Sequence, residues 1–90
     1  MEGRQLAEFF GGDRFASGNG MRVVEVRQGF ARTEMQVGPG HLNAVGIVQG
    51  GVLFTLADLA FAAASNSYGV LAVSCQADIT VFGAIRTFLV

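Results

Sequence analysis

Residues 50–68 read GGVLFTLADLAFAAASNSY, and the fold turns on how that stretch is built. Two glycines open it and Gly69 supplies a stop signal just beyond it. The spacing between them predicts one long helix from Gly50 to about Tyr68, roughly 28 Å at ~1.5 Å per residue. Leu53, Leu56, Ala60 and Ala63 form one apolar row, and Phe54, Phe61 and Tyr68 recur at heptad intervals. Such a helix is apolar almost all round, which marks a buried helix rather than a surface one. In a chain of 90 residues it has to be wrapped by a sheet.

The flanking sequence supplies candidates for that sheet. Met21–Gln28 (MRVVEVRQ) and Phe30–Val37 (FARTEMQV) read as strands joined by a tight turn at Gln28-Gly29. In the second, Ala31, Thr33, Met35 and Val37 fall on one face and Arg32, Glu34 and Gln36 on the other. Gly38-Pro39-Gly40 closes this hairpin, and His41–Gln49 is a loop of little charge. Before the hairpin, Leu6, Phe9 and Phe10 suit a short helix over Arg4–Phe10, stopped by Gly11-Gly12. Ser17-Gly18-Asn19-Gly20 reads as turn. Downstream, Val73, Cys75, Ala77, Ile79 and Val81 alternate with polar residues, which predicts a half-buried strand over Ala72–Phe82 with Cys75 as a core thiol. Arg86–Val90 could begin another. The fold class is α+β, a single domain over residues 1–90.

Composition narrows the function. Hydrophobic residues make up 51% of the chain and charged ones 14%, against a usual charged share of ~25%. That excludes a disordered chain and leaves too few charges to coat an isolated domain, so apolar surface should meet another chain. A net charge of −1 offers no footprint for nucleic acid. The single cysteine cannot form an internal disulfide, which fits a reducing cytoplasm or is neutral on the compartment. Ala44–Ala64 is nearly all apolar, but Gln49, Thr55 and Asp58 interrupt it, and a central Asp costs ~2.5–3.5 kcal/mol on insertion. No basic cluster flanks it, so a membrane span is not expected.

Asp58 is the chemistry-bearing residue that stands out. Between Glu34 and Asp78 no other Asp, Glu, Lys or Arg occurs. An unpaired carboxylate in a core is costly, so it must be compensated or put to use. Gly51, Thr55, Asp58, Ala62 and Ser65 share a small or polar face that suits a cleft or an interface. The structural alternative is a core carboxylate satisfied by Thr55 or by backbone groups. At the helix entrance, Gln49-Gly50-Gly51 offers unpaired N–H groups that a ligand can approach closely. Asn43 lies in the preceding loop. His41, the only histidine, lacks partners for a metal site, and none is expected.

Asn43, Gln49-Gly50-Gly51, Leu56-Ala57-Asp58 and Ser65-Asn66-Ser67 together resemble the PaaI-type acyl-CoA thioesterases of the hotdog superfamily. Asn43 to Gln49 keeps the family's six-residue step, and Gly50 to Asp58 its eight-residue step. The likeness spans roughly residues 38–80. It implies a hotdog fold: a long central helix wrapped by an antiparallel sheet, incomplete in this chain, with its C-terminal strands missing or supplied by a partner. It further implies a homodimer or dimer of dimers with active sites between chains, and an acyl- or aryl-acyl-CoA substrate. Coenzyme A enters only as part of that substrate, and no cofactor is implied. By this likeness Asp58 is general base or nucleophile, the Gly50 N–H polarises the thioester carbonyl, and Asn43 positions the reacting groups. Gln49, Gly51, Thr55 and Ser74 fall to substrate binding. Gln49 stands where the family usually has His, and an amide cannot take up a proton near neutral pH. The rival expectation is a non-catalytic hotdog assembly or acyl-binding module, or an inactive truncated fragment.

Overall fold

The computed structural model describes residues 2–83 and the backbone of Phe88–Leu89. Helix α1 covers Gly3–Phe10 and a single-turn α2 covers Arg14–Gly18. Strands β1 (Met21–Arg27) and β2 (Phe30–Val37) follow, then a 3-10 turn at Pro39–His41 and helix α3 (Gly50–Ser65). A short strand, β3 (Phe88–Leu89), completes a sheet of order β1-β2-β3. The α+β class and the helix-on-hairpin architecture are those expected, with a sheet that remains incomplete.

The hairpin is antiparallel and turns through Gln28-Gly29, with Gly29 at φ 73°, where a side chain would be strained. MRVVEVR lacks a clean alternation because the register shifts between Val23 and Glu25. That bulge reverses the parity, so Met21 and Val23 before it and Val26 after it all reach the core. The opposite face is polar: Arg22 pairs with Glu34 across the strands, and Arg27 and Arg32 both reach Glu25.

The core sits between this hairpin and one side of α3. Met21, Met35, Leu56 and Leu59 pack together with Ala16 of α2. Leu6 of α1 joins Val26 and Ala63 in an adjoining cluster. Gly3 is where α1 crosses β1, and a Cβ there would fall onto the Val26 carbonyl oxygen. Thr33 ties the layers by donating its hydroxyl to the Leu56 carbonyl at 2.9 Å.

Three sequence expectations are corrected. Helix α3 ends at Ser65 rather than near Tyr68, because the polar side chains of the next turn compete for its last carbonyls. Asn66 donates to the Ala62 carbonyl and Ser67 to that of Ala64. The Ser67 hydroxyl also accepts from the Gly29 N–H at 2.6 Å, fastening the hairpin turn to the helix end. Next, Ser17 and Gly18, expected in a turn, close helix α2, and the turn is confined to Asn19-Gly20; Asp13 starts the helix by accepting from the Ala16 N–H at 3.0 Å. Finally, the segment 71–83 carries no strand, and Cys75 is exposed rather than a core thiol. Alternation makes a strand only where a neighbouring edge takes up its N–H and C=O groups. Among the described residues β2 pairs with β1 and, at Gln36 and Val37, with β3, and no edge pairs with 71–83. Phe88 and Leu89 fulfil part of the strand expected over Arg86–Val90; the rest of it lies outside the described residues.

The central helix is also less buried than its composition predicts. Leu56, Leu59 and Ala63 are buried, but Phe61 is 51% exposed and Ala57 and Asp58 are exposed as well. A hairpin and two short helices cover a single side of α3. No helix among the described residues is long and apolar enough to cross a membrane.

Candidate active site

Asp58 projects from the uncovered side of α3 and is exposed, so the cost of burying an unpaired carboxylate does not arise in the single chain. Thr55 does not bond to it; its hydroxyl turns back to the Gly51 carbonyl at 2.8 Å. Gly51, Thr55, Asp58, Ala62 and Ser65 form the face that their spacing predicts, pointing away from the hairpin.

The chain after α3 folds back along that face. Asn66 holds it there by matching both backbone groups of Ala72: its amide donates to the Ala72 carbonyl at 3.0 Å, and its oxygen accepts from the Ala72 N–H at 2.9 Å. Between helix and returning segment lies a groove of about 400 Å³, whose polar margin is Asp58, Ser65, Asn66 and Ser74. Asp58 also borders a smaller cleft of about 140 Å³, where Asp78 and Ile79 face Phe54 and Phe61. Asp58 and Ser74 therefore share one groove although they are 16 positions apart in sequence.

The helix entrance is built differently. Gln49 is the N-cap of α3, its side-chain oxygen accepting from the Gly51 N–H and its carbonyl from the Val52 N–H at 2.9 Å. A Cβ on Gly51 would lie 2.6 Å from the Gln49 oxygen, so glycine lets the cap close. Gly51 thus spends its donor inside the protein. The Gly50 N–H has no partner among the described residues, and a Cβ there would meet nothing within 4 Å. It is the open donor at this end of the helix.

Asn43 organises the loop before the helix. Its side-chain oxygen accepts from Val45 and Ile47 N–H groups, at 3.0 and 3.3 Å, and its own N–H donates to the Ile47 carbonyl. His41 anchors the loop base, with Nδ1 accepting from Gly38 N–H and its carbonyl from Gln49 N–H, both at 2.9 Å. The structure gathers the expected site residues into two groups: Asn43, Gln49, Gly50 and Gly51 around the helix start, and Asp58 with Ser74 in the groove. Thr55 lies on α3 between them. Eight residues of helix separate Gly50 from Asp58, about 12 Å. Sequence reading missed Phe9 and Phe10, which form the groove's far wall. Only the packing of α1 against β1 brings them there, and no local spacing announces it.

No protein-family model matches the chain. A protein of Archaeoglobus fulgidus whose name is that of an esterase is 49% identical over 63 residues, covering 70% of this chain and 41% of its own length. The acyl-coenzyme A thioesterase PaaI of Escherichia coli is 40% identical over 67 residues, covering 74% of this chain and 48% of that protein. The solved structure of E. coli PaaI, from the phenylacetic acid degradation operon, superposes with a TM-score of 0.88 at 33% identity over 96% of this chain and 64% of its own.

The chain is a PaaI homologue with the PaaI hotdog fold. It spans less than half the length of these two curated relatives.

Proposed function

We propose that this PaaI homologue hydrolyses acyl- or aryl-acyl-CoA thioesters, with Asp58 as general base. One observation carries the reading: Asp58 is an exposed carboxylate on a groove, unpaired among the described residues, on the same helix as the open N–H of Gly50. The name of the E. coli relative, an acyl-CoA thioesterase, supports the reaction class. Asp58 takes a proton from water, and the hydroxide adds to the thioester carbonyl carbon. The oxyanion that forms accepts from the Gly50 N–H, a kind of contact worth ~2.7–4 kcal/mol in acyl transfer. The carbon–sulfur bond then breaks, releasing the acid and the CoA thiolate, which takes up a proton. Asn43 orients the reacting groups from the loop. Gln49 holds the helix entrance, and Ser74 and Thr55 border the substrate.

A carbonyl held at the Gly50 N–H cannot be reached by the water on Asp58 of the same chain, because about 12 Å of helix separates the two residues and the water has to approach the carbonyl carbon from the side rather than end to end. The site is therefore assembled between chains in a homodimer or dimer of dimers, Gly50 from one copy and Asp58 from the other. The exposed Phe61 and the half-buried Phe54 beside Asp58 suit that contact. Coenzyme A arrives as part of the substrate, no other cofactor is needed, and the setting is the cytoplasm.

Mixing two impaired variants tests this. Gly50→Pro removes the N–H at a first helical position that tolerates proline, and Asp58→Asn removes the base. Each alone should release CoA thiol at least about a hundredfold more slowly, while refolding them together should restore thiol release through hybrid sites. Activity absent from the mixture although the unmodified chain turns over would overturn the shared site.

A further inference from the structure

The groove at Asp58 does not end at its polar margin. It continues, through the shared walls of Phe9, Phe10, Asn66 and Leu71, into a second pocket of about 250 Å³ beside the C-terminal end of α3. There the lining becomes Leu6, Phe9, Phe10, Val70 and Leu71, and the polar side chains fall away to Asn66 alone. The cavity thus grades from a carboxylate at one end to aliphatic and aromatic groups at the other. From Asp58 to Asn66 is about 12 Å along the helix.

Resting on the thioesterase reading, we infer that this apolar extension receives the tail of the acyl group and that Phe9 of α1 is the apolar wall the tail packs against. Phe9 is 59% exposed and meets Phe10 edge to face, with ring centroids 5.1 Å apart and planes at 87°. It presents a ring to the groove while Leu6, on the same helix, anchors α1 in the core. The occupant is a partner of stated chemistry, because a thioester whose carbonyl reaches Asp58 can extend only an uncharged tail along this lining. An acetyl group has no tail to enter the extension, whereas a hexanoyl or phenylacetyl group does. The Asn66 clasp on Ala72 keeps Leu71 opposite Phe9, so the tail lies between helix α1 and the returning segment.

The test compares acetyl-CoA with hexanoyl-CoA in the unmodified chain, in Phe9→Ala and in Phe15→Ala, whose ring is 68% exposed and absent from either pocket lining. Phe9→Ala should lower the hexanoyl-to-acetyl ratio of kcat/KM at least about tenfold, the scale of one apolar contact in a pocket, and Phe15→Ala should leave the ratio unchanged. An unchanged ratio in Phe9→Ala overturns the assignment. The parallel measurement uses a hexyl-CoA thioether, which cannot be hydrolysed, titrated into protein carrying 13C-phenylalanine. The Phe9 signals should shift with the hexyl probe and stay put with the corresponding methyl-CoA thioether. Shifts without turnover would discard the thioesterase reading and keep the acyl pocket, whereas turnover without Phe9 shifts, or no binding of the hexyl probe, would discard the pocket.

Discussion

Both sides of α3 carry large apolar residues, and their fates are opposite. Towards the hairpin, Leu59 is 3% exposed and Ala63 0%, locked against Met35, Met21 and Val26. Away from it, Ala57, Asp58 and Phe61 stand exposed beneath a segment without regular structure. The difference is one of supply. Strands β1 and β2 satisfy each other's backbone groups and offer a ready apolar face, whereas the segment 71–83 is held chiefly by side-chain clasps such as Asn66 on Ala72. Apolar composition therefore shows how much a helix could bury, and only the neighbours decide how much it does. The uncovered side is the one that carries the carboxylate and the groove.

Substitutions can break this contrast in order of size. Met35→Ala empties the most buried large side chain, at 1% exposure. It should lower the unfolding free energy by about 2–5 kcal/mol in a urea titration. Asn66→Ala removes both bonds to Ala72 and one to Ala62. It should cost about 1–2 kcal/mol and, more tellingly, make the segment 71–83 cleave faster in limited proteolysis while the hairpin stays protected. Phe61→Ala, on the open side, should change the unfolding free energy of the isolated chain by no more than about 0.5 kcal/mol. A loss as large as that of Met35→Ala would mean that the outer face is as tightly packed as the inner one.

Much of this was legible in the residues. The hairpin announced itself through Gln28-Gly29 and the alternation of β2, and α3 through its apolar spacing and bounding glycines. The face shared by Asp58 and Ser65 followed from steps of three and four. What stayed hidden depends on partners distant in the chain. Nothing local says that Ser67 will fasten Gly29, that Phe9 will wall the groove, or that Val24 will bulge to keep Val26 inside. The alternation of residues 73–81 misled for the same reason, since a strand needs an edge that its own sequence cannot supply. Gln49 is instructive in the other direction. A residue expected near the substrate also caps its helix, which takes the Gly51 N–H out of play and leaves Gly50 as the free donor.

Release of free CoA thiol by the Asp58→Asn variant weighs the central assignment most directly. Because the side chain is exposed and the substitution keeps its shape, the melting midpoint should not move, while turnover of phenylacetyl-CoA or hexanoyl-CoA should fall at least about a hundredfold, the contribution of a positioned general base. Undiminished thiol release from a correctly folded Asp58→Asn chain would contradict it.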